Sequence, residues 1–161
     1  MMHIDLRQHA LNLLKLSKKF LSEDGDLDAT AFIITADDQL LRPIDLQEES
    51  RKLESCKKIV EEARQQHAIA IVTIFLARFK DFDHEDFVAE AYSWGDIQDG
   101  SSERCVLVTV SGPGVKNWAA AVPFRLASGR IVFRDRVEFT DGVDLGLFPG
   151  WADQIGKPRV I

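Results

Sequence analysis

The chain has 161 residues, 45% of them hydrophobic and 29% charged, with a formal net charge of -6. That length suits a single domain with its own core, and that balance excludes a disordered or fibrous chain. An acidic total argues against general nucleic-acid binding, which needs a basic surface, and the longest apolar run, residues 68–77, is too short for a membrane helix of roughly 20 residues.

Residues 4–22 place Leu6, Ala10, Leu13, Leu14, Ser17, Phe20 and Leu21 at helical spacing, with Arg7, Asn12, Lys15 and Lys19 largely on the other side. The same segment lacks the apolar centre of a secretory signal, so a cytoplasmic protein is expected. The acidic stretch from Ser22 to Asp28 ends the helix, with Gly25 supplying a left-handed residue. Thr30–Ala36 reads as a strand and Asp37-Asp38 as a turn. Gln39–Leu46 reads as the returning strand, placed at an edge because Pro43 has no N–H for a ladder.

A second helix follows, with Leu53, Cys56, Ile59, Val60, Ala63 and His67 in one stripe and Lys57, Lys58, Glu61, Glu62 and Arg64 around the rest. Ser50, or a residue slightly earlier, caps its start, and His67 at its end is expected to compensate the helix dipole. Ala68–Phe79 is nearly continuous apolar sequence rich in β-branched residues, the pattern of a strand buried on both faces. Residues 80–103 are acidic and irregular, a long loop for a small domain.

Arg104–Ser111 alternates as a strand and Gly112-Pro-Gly114 marks a turn. Asn117–Leu126 and Arg130–Phe139 form a hairpin through Ala127-Ser-Gly129. Trp118, Ala120, Val122, Phe124 and Leu126 share one face, matched by Ile131, Phe133, Val137 and Phe139. Residues 141–161 form an irregular tail, anchored on the domain by Leu145, Leu147, Phe148 and Trp151. The fold class is α+β, a single domain with a mainly antiparallel five- to six-stranded sheet and two main helices, in the order α-β-β-α-β-β-β-β. That order is similar to profilin-like and roadblock-type α/β modules over about two-thirds of the chain; no motif accompanies it, and fold order implies no activity.

Side-chain chemistry singles out few positions. Asp81, Asp83 and His84, with Glu85 and Asp86, are metal-ligand types following the central strand, a placement that suits a metal-dependent hydrolase. Their spacing matches no zinc or deaminase motif, and solvated surface is the simpler account. Asp24–Asp28 fails the calcium-loop pattern, with Ala29 and Thr35 where a glycine and a glutamate belong. Cys56 and Cys105 fall on apolar faces and are expected as reduced, inert thiols. No nucleophile elbow, phosphate loop or cofactor motif occurs, so no cofactor is expected.

Arg125, Arg134 and Arg136 share the outward face of the last hairpin if strict alternation holds, and three guanidinium groups there suit an anion or an acidic partner. Tyr92 and Trp94, in the acidic loop, suit a protein interface. The chain therefore reads as a non-catalytic binding or assembly module with a protein partner or a second copy, expected as a homodimer, with no nucleic acid and no membrane. The alternative reading is the small metal-dependent hydrolase, or an anion-binding protein.

Overall fold

A computed structural model describes residues 5–25, 27–45, 49–78, 104–112, 115–139, 148 and 151. In chain order these form α1 (Leu6–Asp24), β1 (Thr30–Ile34), β2 (Gln39–Pro43), α2 (Glu49–Gln65), β3 (Ala70–Arg78), β4 (Arg104–Gly112), β5 (Val115–Ala127), β6 (Arg130–Phe133) and β7 (Val137–Phe139). All strands join one antiparallel sheet in the order β2-β1-β3-β4-β5-β6, and β7 also pairs with β5. The α+β class and the element order agree with the sequence reading. The strand count rises because the last expected strand is split into β6 and β7.

Local chemistry sets the helix ends. The Asp5 carboxylate accepts from the Gln8 N–H at 3.0 Å and caps α1. Gly25, with φ 76°, closes its other end and returns its N–H to the Leu21 carbonyl. Because α2 begins at Glu49, Ser50 lies inside the helix, and the cap falls outside the described residues. At the far end Ala68 N–H bonds the Ala63 carbonyl while His67 N–H bonds the Arg64 carbonyl. That paired pattern, with His67 at φ 55°, is the Schellman ending. His67 thus lies just past α2 and shapes the helix ending through its backbone.

The two sheet faces carry separate cores. Ala10, Leu14 and Leu21 of α1 pack on Val72, Ile74 and Leu76 of β3, Val106 and Val108 of β4, and Val122 and Phe124 of β5. On the opposite face Cys56, Ile59, Val60 and Ala63 of α2 pack on Ala31 and Ile33 of β1 and Ile71 of β3. Ala70 to Ala77 are all buried, as the apolar run requires of a strand between two layers. Phe148 and Trp151 join the second core, where the Trp151 indole N–H reaches the Ser111 carbonyl at 3.2 Å. Gly112 is fixed by a close approach: a Cβ there would lie 2.5 Å from the Ile69 carbonyl oxygen.

Both sheet ends are blunted. Thr35 N–H bonds the Asp38 carbonyl and Ile44 N–H bonds the Ala29 carbonyl, so every second pair between them is hydrogen-bonded. Thr30↔Pro43 is an intervening pair, and the ring nitrogen of Pro43 faces away from β1. An edge strand that presents a proline outward offers a poor template for another strand. At the other end the Ser128-Gly129 turn has φ 52° and 77°, the signs of a type I′ hairpin. Past that turn the pairing slips. Phe124↔Phe133 holds in β6, whereas Ala121↔Val137 and Ala120↔Glu138 hold in β7, so one extra residue lies in between.

Candidate anion-binding cleft

The bulge at 134–136 reverses which side chains face α1. Before it, Ile131 and Phe133 lie with Phe124 on the α1 face; after it, Glu138 takes that face beside Ala120, and Val137 turns to the other side with Ala121. Expected alternation, with Val137 and Phe139 continuing the face of Ile131 and Phe133, fails at this point. A one-residue slip changes the face of every residue beyond it.

The three arginines divide accordingly. Arg125 pairs with Val132 and alternates with buried Phe124, which puts it on the face away from α1. Arg134 donates its N–H to the Pro123 carbonyl at 2.8 Å, continues the β6 register, and stays on the side of Arg125. Arg136 lies on the α1 face, 3.3 Å from Glu138 Oε1. Tyr92, Trp94, Asp81, Asp83 and His84 lie outside the described residues. Among the described residues no group of three or more His, Cys, Asp or Glu side chains could hold a metal ion.

Arg136 instead meets residues from α1. A cleft of about 500 Å³ runs between the helix and the β5–β7 margin, with Arg7, Lys15, Lys18 and Arg136 on its walls and Leu11, Leu14 and Val122 beneath them. Helical spacing explains the row: residues 7, 11, 15 and 18 recur at intervals of four, four and three and fall on one side of α1. Gln8 and Asn12 form the outer wall, held by a 3.0 Å hydrogen bond between their amides.

Among the described residues one carboxylate faces this group. Arg7 donates to Glu138 Oε1 at 2.6 Å, and Arg136 approaches the same oxygen at 3.3 Å. A single carboxylate shared by two guanidinium groups leaves that end with an excess of positive charge and unused donors. At the other end the Lys18 ammonium sits 5.1 Å from the centre of the Phe133 ring. Among the described residues neither Lys15 nor Lys18 has a carboxylate in ion-pair range. The cleft is thus cationic at both ends and apolar beneath, in a chain whose total charge is negative.

The thiols offer no nucleophile. Burial holds Cys105 well above the usual thiol range and pushes Cys56 up to about 11, against the smaller opposing effect of Lys52. In the sequence Arg7 and Lys15 stand only on the polar side of a helix, and Lys18 is not singled out. The signal that finds them is the four-four-three spacing around Leu11, together with a strand slip that no alternation pattern contains. No described helix is long and apolar enough to cross a membrane. No protein-family model, curated protein or solved structure matches the chain.

Proposed function

We propose that this protein is a non-catalytic, cytoplasmic binding module that takes an anionic group of a protein partner in the cleft between α1 and the β5–β7 margin. The observation that supports this reading is the convergence of Arg7, Lys15, Lys18 and Arg136 on one cleft over an apolar floor, with Glu138 paired to Arg7 and Arg136 only. Guanidinium and ammonium groups recognise carboxylates and phosphates by charge-assisted hydrogen bonds, and an apolar floor excludes water from one side of each. Self-association through the sheet edges is the weaker reading, because Pro43 faces outward from one edge and the bulge interrupts the other.

The test is a titration of the ¹⁵N-labelled protein with inorganic pyrophosphate, used as a minimal polyanion. Expected amide shifts fall on residues 7–18 and 136–138 and disappear in the Lys15→Glu/Lys18→Glu variant. Shifts centred elsewhere, or equal shifts in the variant, would overturn the reading.

A further inference from the structure

Resting on that reading, we infer that the cleft takes an extended acidic peptide segment in which two carboxylates flank an apolar residue with one spacer on each side. The length of the groove and the order of its groups carry this. Arg7, Leu11 and Lys15 follow one another along α1 in steps of four residues, about 6 Å each at 1.5 Å per residue. An extended chain advances about 3.3 Å per residue, so its alternate side chains on one face are spaced at about 6.6 Å. The sequence of groups offered by the helix, cation then leucine then cation, therefore has the repeat of an acid–spacer–apolar–spacer–acid strand.

The rest of the lining agrees with that orientation. Arg136 stands across from Arg7 and joins it at Glu138, so one carboxylate of the peptide finds two guanidinium groups at that end. Lys18 lies about 4.5 Å further along the helix than Lys15, with its ammonium over the Phe133 ring, and both line the end that would take the second carboxylate. Leu11, Leu14 and Val122 lie between the two charged ends, where the apolar side chain would rest. A compact anion such as a lone phosphate could engage one end only and would leave the floor uncovered. From Arg7 to Lys18 the rise is about 16 Å, the span of about five extended residues.

The experiment uses the whole chain and three synthetic peptides of equal length and charge, capped at both ends: one with glutamates at positions 2 and 6 and leucine at 4, one with the leucine replaced by serine, and one with the glutamates adjacent at positions 2 and 3. Fluorescence anisotropy should show the first binding about tenfold more tightly than either control, and Lys15→Glu/Lys18→Glu should remove the difference. Equal binding of all three peptides would overturn the spacing rule while leaving anion binding intact. Pyrophosphate binding with no peptide binding would assign the cleft to small anions instead. Absence of both would sink this inference together with the proposed function.

Discussion

Arg7 in the first turn of α1 and Glu138 in β7 meet at 2.6 Å although 131 positions separate them in the chain. The contact exists because the bulge after β6 turns Glu138 toward the helix. Arg7 is about half exposed, so the pair adds less than about 1 kcal/mol to stability. Its weight lies in the charge of the cleft. Glu138→Gln removes the one carboxylate shared by Arg7 and Arg136, and should tighten pyrophosphate binding severalfold while leaving the urea midpoint nearly unchanged. A weaker interaction in calorimetric titration would show that Glu138 orders the guanidinium groups more than it competes with ligands.

Thr73 and Thr109 are cross-strand partners on β3 and β4, and their hydroxyls hydrogen-bond each other inside the sheet. Removing one hydroxyl leaves its partner buried without a mate, which costs about 1–3 kcal/mol. Thr73→Val alone should therefore lower stability by that amount, and Thr73→Val/Thr109→Val should recover most of it. Chemical denaturation of the two variants beside the parent decides the matter; additive losses would mean that the hydroxyls act independently.

Among the described residues, two other than glycine hold positive φ, His67 at the end of α2 and Ser128 in the β5–β6 turn. A left-handed conformation costs a residue with a Cβ about 1–2 kcal/mol, partly offset in a glycine variant by the freedom of its unfolded chain. His67→Gly should stabilise the protein by up to about 1 kcal/mol, and Ser128→Asn by a few tenths, asparagine being the preferred residue before glycine in this turn. Differential scanning calorimetry should record a higher Tm in both. A fall for His67→Gly would show that the imidazole contributes more than its backbone geometry.

Arg42 on β2 grips Glu62 of α2 with two hydrogen bonds, Nε to Oε1 at 2.6 Å and Nη2 to Oε2 at 2.5 Å. The bonds to Arg42 hold the Glu62 carboxyl below its ordinary value. A depressed folded pKa contributes stability above the unfolded glutamate value of about 4.3, and that contribution is lost as pH falls through the folded value. Melting temperature should thus decline less steeply below about pH 4 in Arg42→Gln than in the parent. Parallel acid limbs for the two proteins would show that the pair does not couple to folding.

Much of the fold was legible in the sequence because it rests on periodicity. The run 68–79 gave β3 its central place, Pro43 put β2 at the margin, and of the stripe Leu53, Cys56, Ile59, Val60, Ala63 and His67 the middle four gave α2 its buried side while Leu53 and His67 are exposed. Gly25 and Trp151 also served as expected, one as a helix ending and one as an anchor. The cleft was less legible, since its parts come from the two ends of the chain. Arg136 stands out in the sequence, but strict alternation groups it with Arg125 and Arg134, and nothing in Phe133 to Val137 announces an extra residue. Arg7, Lys15 and Lys18 were indistinguishable from ordinary solvated helix residues until a second wall stood opposite them. Their role depends on tertiary placement, which periodicity does not encode.

That extra residue sets the phase of the last strand in a way its composition does not reveal. Deleting Asp135 would leave two residues opposite Val122 and Pro123, remove the bulge, and keep Glu138 opposite Ala120 on the α1 face. Keeping Asp135 but running the strand on in the β6 register would instead set Glu138 opposite Ala119, on the side of the sheet away from Arg7. The bulge, rather than the residues it contains, decides which charge pattern meets the helix.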